Sequence, residues 1–253
     1  MKPVFPTYIL KRRAKAAMQG RFFKALAIAA VPLLTVLLCT ALVLAFMPGA
    51  KDAFNLAING KFETYEERVM YFDSVMNIST TAVSLFSAVF AFLSVGAQRL
   101  FLDMLRGKDA VVKNIFCFYD KWYIAAVYPV ASAAAALLIT YILDFLLASG
   151  MNTDAVMLLS WALQLAVYFI AAKLMFVEFI LADTDCKNVL AAMKASWKMV
   201  GWNTAVNFVT LALSFVGWII LSAFTGGLLL IYVIPYMSLS IAALYEENRK
   251  YNV

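Results

Sequence analysis

Six apolar runs, each reaching the roughly 20 residues needed to cross about 30 Å of hydrocarbon, leave this chain few ways to fold. A backbone surrounded by lipid must satisfy its own hydrogen bonds, so each run is expected to be a helix. The runs divide the 253 residues into seven hydrophilic pieces that carry, in chain order, 7, 3, 5, 0, 3, 0 and 2 Lys and Arg, with Lys173 left inside a run. The odd-numbered pieces therefore hold 17 basic residues and the even-numbered ones 3. Short loops rich in Lys and Arg stay cytoplasmic. The expected architecture is all-α: a polytopic membrane helix bundle of six transmembrane helices with interfacial elbow helices, one integral membrane domain with both termini cytoplasmic.

Composition agrees. At 64% hydrophobic and 14% charged, the chain is far from the roughly 25% charged of soluble domains. The longest hydrophilic stretch, 48–73, is too short for an independent core. The net charge of +6 sits beside the runs, where orientation and anionic headgroups account for it, so nucleic acid is not an expected partner. The bilayer is, with another membrane protein or a lipid ligand beyond it. The chain has no histidine, which excludes His-centred triads and His-ligated zinc. Cys39, Cys117 and Cys186 are placed in a run and in two cytoplasmic loops, and make no disulfide framework.

The expected helices cover about 24–47, 74–97, 122–147, 155–181, 203–224 and 228–245, with an external loop at 48–73. The first run is longer than the 7–15-residue core of a signal peptide and reads as an uncleaved crossing. Pro32 and Pro235 are candidate kinks, because each removes a backbone donor. Pro48-Gly49 ends the first helix, Asn59-Gly60 reads as a turn, and 62–73 as a solvated surface helix. Ala131 to Ala136 are small enough for close approach of a neighbouring helix. Thr225-Gly226-Gly227 forces an antiparallel hairpin.

Before the fifth run, Val189, Leu190, Met193, Trp197 and Val200 fall within an arc of about 100° on a helix, and Lys187, Lys194 and Lys198 cluster to one side. That pattern predicts a helix lying in the interface, with apolar residues toward the acyl boundary and lysines toward headgroups. Met18-Gln19-Gly20 echoes Met199-Val200-Gly201. A similar elbow is expected before the first run, and a distant duplication is one explanation of the echo.

Ionisable residues at membrane depth are functional candidates by default. Lys173 and Glu178 lie on the fourth run, about 140° apart and poorly placed to pair. Glu178 is expected near water at the cytoplasmic boundary, and Lys173 to snorkel. Ser160, Gln164, Tyr168, Met175 and Glu178 form a stripe along one face. It reads either as a polar path or as helix–helix hydrogen bonding. The candidate path residues are Gln164, Tyr168, Lys173 and Glu178. Asp183 and Asp185 read as a cation or headgroup site, or as caps of the following helix. No phosphate loop, metal-spaced Cys pair or Ser-centred elbow is present, so no catalytic residue, cofactor or metal is expected.

In the last sixty residues, Ser196-Trp197-Lys198-Met199-Val200-Gly201, Leu213-Ser214-Phe215-Val216-Gly217-Trp218, Thr225-Gly226-Gly227 and Pro235-Tyr236, with Tyr245 beyond, occur in a specific order and spacing. They resemble an uncharacterised family of bacterial multi-pass membrane proteins of unknown function, itself distantly similar to the membrane domain of some glycerophosphodiester phosphodiesterases. The first half matches through Gly20, Gly96 and Ile115-Phe116-Cys117-Phe118, and departs in its external loop. The resemblance implies six helices and a bacterial cytoplasmic membrane, and supplies no reaction. Ser214 and Gly217 are expected to let the fifth helix pack closely. The functional expectation is a non-enzymatic accessory or interaction protein, with a small transporter using the polar face of the fourth helix as the alternative.

Overall fold

A computed structural model describes residues 6–46, 82–184 and 188–251, and among these it is all helical. In chain order the helices are α1 (Thr7–Met18), α2 (Phe22–Phe46), α3 (Ala82–Val89), α4 (Ala91–Leu105), a 3-10 helix (Val112–Lys121), α5 (Trp122–Ala148), α6 (Thr153–Leu174), α7 (Val177–Thr184), α8 (Val189–Met199), α9 (Trp202–Phe224) and α10 (Leu230–Lys250). The loop expected at 48–73, with its turn and surface helix, lies outside the described residues, as do Asp185, Cys186 and Lys187.

Four described stretches are long and apolar enough to cross a membrane: Phe22–Val43, Val112–Ala148, Asp154–Thr184 and Trp202–Phe224. The pair α3 and α4 makes a fifth if it is one span, although the two halves meet at 61°. This corrects the expectation of a straight helix ending near residue 97. The chain bends at Phe90 and stays helical to Leu105. The second half is drawn off axis because nearly its whole circumference is packed, from Phe92 to Met104. It contacts the 3-10 helix, α7, α10 and α2. A helix apolar on most sides belongs in a core, and α4 is the centre of this one.

The core sits at one end of the molecule. There α4 meets the 3-10 helix so closely that a Cβ on Gly96 would lie 1.9 Å from the Ile115 carbonyl oxygen. Phe179 stacks on Tyr245 with ring centroids 5.3 Å apart, joining α7 to α10. α1 lies against α10. Its Lys11 ammonium donates to the Ser214 carbonyl of α9 at 2.9 Å and sits 4.2 Å above the Phe215 ring. Burial lowers the pKa of that ammonium. Away from this core, α5, α6 and α9 leave large apolar residues such as Tyr141, Phe145, Trp161 and Ile220 exposed.

Ion pairs tie the four basic pieces together at the packed end. Lys24 meets Asp109 at 2.7 Å, and Arg13 meets Glu247. The Asp183 carboxylate, only 3% exposed, is gripped by Arg106 at 2.8 Å and Arg249 at 2.6 Å. It also accepts the Tyr245 hydroxyl at 3.1 Å. Arg106 donates as well to Glu246 at 2.7 Å. Burial works against charge on its guanidinium, but the bonds to Asp183 and Glu246 outweigh that and raise its pKa. Asp183 is therefore a structural anion that recruits protein cations; it neither caps the next helix nor faces solvent as a cation site. The cap of α8 is Asn188, whose side chain accepts from the Leu190 N–H at 3.0 Å, as N-cap residues do.

The α9–α10 hairpin closes through Gly226 and Gly227, both at positive φ (58° and 85°), a region that favours glycine. Gly217 does not serve close packing as expected: a Cβ built there meets nothing within 4 Å.

Candidate functional site: a groove between two apolar helices

The fourth run is not one uninterrupted helix over 155–181. α6 stops at Leu174 and α7 starts at Val177, and the interruption is spliced by a residue of α8. The Ser196 hydroxyl donates to the Lys173 carbonyl at 2.9 Å and accepts the Phe176 N–H at 3.3 Å. Two backbone groups at the break thus find a partner inside the core. The break turns the polar stripe apart. Ser160, Gln164 and Tyr168 stay together, while Met175 packs against the core and Glu178 rotates toward α4.

Glu178 is not simply wet. Its carboxylate accepts the Ser94 hydroxyl at 2.7 Å and the Gln98 amide at 3.4 Å, linking α7 to α4. Gln98 Oε1 is sealed from solvent and has no hydrogen-bond partner among the described residues. Lys173 points elsewhere. Its ammonium donates to the Val200 carbonyl at 2.6 Å, capping the end of α8. It lies 5.5 Å from the Trp197 ring and 5.8 Å from Phe169, within cation–π range. Both charged members of the expected path are thereby committed to holding helices together.

Gln164 and Tyr168 line a cavity of about 870 Å³ between α5 and α6. Its α5 side is built on Ala131, Ser132, Ala135 and Ala136, whose small side chains leave the floor low. Ile139, Leu143 and Leu165 form apolar walls, and Ser132, Thr140, Ser160 and Gln164 add polar atoms. The small-residue stretch therefore borders open space where close helix contact was expected. The groove is open at the side: Ala135, Gln164 and Leu165 are all exposed.

The short helix α8 contacts both α5 and α6 at one end of this groove, and its Met193 enters the lining. Its face toward the protein core is Val189, Ala192, Ser196 and Met199, turned from the arc drawn from sequence. Leu190 is 65% exposed and Trp197 46% exposed. Lys194 and Lys198 are exposed beside them. Trp197 packs edge-on against Phe169 of α6 at 6.3 Å.

Three contributing side chains, Ser196, Ser94 and Gln98, were not legible in the sequence. Ser196 gives no signal beyond its place in the Ser196–Gly201 string, because a hydroxyl that repairs another helix has no local pattern. Ser94 and Gln98 lie four apart on one face of α4, a spacing that could have marked them as partners for a buried acid. Compared with known proteins, the chain matches no family model, no curated protein and no solved structure.

Proposed function

We propose that this chain is a six-crossing protein of the bacterial cytoplasmic membrane, with both termini in the cytoplasm, acting as a non-enzymatic accessory or interaction protein. The convergence of the four basic pieces supports the crossing number. α1, the start of α2, the α4 end, α7 and the end of α10 meet there through Lys24–Asp109, Arg13–Glu247 and the Asp183 cluster, the arrangement that three pairs of crossings would give. That end carries the excess of Lys and Arg, and the positive-inside tendency makes it cytoplasmic. α8 then lies at the membrane interface as an elbow, with Leu190 and Trp197 facing lipid and Lys194 and Lys198 the headgroups.

The observation that carries the functional reading is the laterally open α5–α6 groove. It faces the bilayer, where another membrane component can enter it from the side. The nearby charges, Lys173, Glu178 and Asp183, hold helices together and do not line it. A second reading, a small transporter, is favoured by the polar atoms of Ser160, Gln164 and Tyr168 along the same groove.

Native mass spectrometry of the protein extracted gently from its own membrane separates the two. A stoichiometric second polypeptide or a retained lipid supports the interaction reading. A bare chain whose flux phenotype disappears in Gln164→Ala, with expression intact, replaces it with transport.

A further inference from the structure

We propose that the α5–α6 groove seats an anionic phospholipid of the leaflet at the basic end, one acyl chain lying along the groove and the phosphate held at its mouth by Lys194 and Lys198. The inference rests on reading the groove as the interaction face, and names its occupant.

Shape comes first. On α5 the lining runs from Tyr128 to Leu143, about 22 Å at 1.5 Å per residue. That exceeds the roughly 15 Å of hydrocarbon in one leaflet, so a chain entering at the basic end has apolar wall beside it throughout. The floor at Ala131, Ala135 and Ala136 leaves the depth that larger side chains would fill.

Charge then fixes which end holds the headgroup. Between Lys121 and Lys173 there is no basic residue, and the far end of α5 and α6 carries Asp144 and Asp154, both exposed. The near end is met by α8, the helix that carries the groove-lining Met193 and, further along its exposed side, Lys194 and Lys198. Lys173 adds a third positive charge there, fixed on the Val200 carbonyl. An anionic headgroup is repelled from one end and attracted to the other. Trp197, half exposed between the lysines, has the amphipathic ring found at headgroup level. A zwitterionic lipid would gain the apolar wall but not the charge match.

The test uses the full chain purified in mild detergent, titrated with phosphatidylglycerol or phosphatidylcholine of identical acyl chains, with bound lipid counted by native mass spectrometry. Wild type is expected to retain phosphatidylglycerol at least fivefold more tightly. The pair Lys194→Ala and Lys198→Ala should bring that ratio close to one. Ala135→Leu, at an exposed position that folding tolerates, should weaken both lipids about tenfold, and Ser132→Leu provides an independent block. Lys108→Ala, an exposed lysine away from the groove, should leave the ratio unchanged.

Equal retention of the two lipids by wild type overturns the proposal, as does a ratio that falls equally in Lys108→Ala. Phosphatidylglycerol binding unaffected by both groove-filling variants also overturns it. A photo-crosslinking residue at Leu165, read in native membranes, keeps this failure distinct from failure of the functional reading. A defined, stoichiometric adduct with no lipid preference removes the anionic lipid and leaves an interaction groove; no adduct and no lipid binding remove both.

Discussion

Gly96 offers a sharp test of the packed end. A Cβ there would sit 1.9 Å from the Ile115 carbonyl oxygen and 2.8 Å from its carbon. Both are backbone atoms of the 3-10 helix, so no side chain can swing aside. In Gly96→Ala the two helices must separate by more than 1 Å to restore ordinary contact. Overpacking of this kind costs about 1–3 kcal/mol and sometimes more, and a backbone clash belongs at the upper end. Against this, Ala in a helix interior gains about 1 kcal/mol over Gly. The net loss is about 2 kcal/mol, a drop of roughly 4–8 °C in midpoint for a chain of this size. Gly217→Ala is the matched control, also helical but with nothing within 4 Å of the added carbon. It should be neutral or stabilise by up to about 1 kcal/mol. Thermal unfolding of both variants in the same detergent, followed by intrinsic fluorescence, gives the comparison. Equal midpoints for Gly96→Ala and wild type would refute the contact and with it the close packing of α4 on the 3-10 helix.

Other perturbations probe different joints. Ser196→Ala leaves the Lys173 carbonyl and the Phe176 N–H without their shared partner and should cost about 1–3 kcal/mol, read as a lowered midpoint that Ser196→Thr partly restores. Asp183→Ala strands two arginines; full burial would make this about 3–5 kcal/mol, and the partial exposure of Arg106 and Arg249 (26% and 41%) reduces it. A double-mutant cycle of Asp183→Ala with Arg249→Ala should therefore show coupling above about 1 kcal/mol, and additive losses would contradict the pairing. Lys173→Ala should lower stability by about 1 kcal/mol and weaken the preference for anionic lipid, while the apolar groove still takes up lipid, measured on the same sample. For orientation, a cysteine placed within residues 51–73 should react with an impermeant thiol reagent from outside intact cells, and protection there would reverse the assigned sidedness.

The helical architecture was legible because bilayer-length apolar runs are long-range regularities. The apolar runs at 122–147 and 203–224 coincide with the helices Trp122–Ala148 and Trp202–Phe224 to within one residue at each end. What periodicity could not show were events decided by distant contacts. The bend at Phe90 follows from packing on α4, whose sequence looks like the tail of a crossing followed by a charged loop. The interruption at Met175 and Phe176 contains no proline or glycine, and depends on a hydroxyl 20 residues away. Gln164 and Tyr168, on one helical face, line the same cavity, whereas Glu178, beyond the break, bonds to Ser94 of α4. Lys173 looked like a functional charge because hydropathy does not register a carbonyl waiting at the end of another helix. Lys187 and Asp185 lie outside the described residues.

The order in which the packed end can be built follows from its longest contacts. Arg13 finds Glu247 across 234 positions, and the Lys11 carbonyl accepts from Tyr236 across 225. During synthesis α1 therefore emerges long before its counterpart, and the first apolar helices enter the bilayer while their shared end is still open. Closure of that end, with Arg249 arriving on Asp183, is a late event that reports the integrity of the whole chain at once. A ribosome-stalled chain stopped short of α10 should consequently show α1 open to protease, and release through α10 should protect it; equal protection in both states would mean that α1 finds its place without its distant partner.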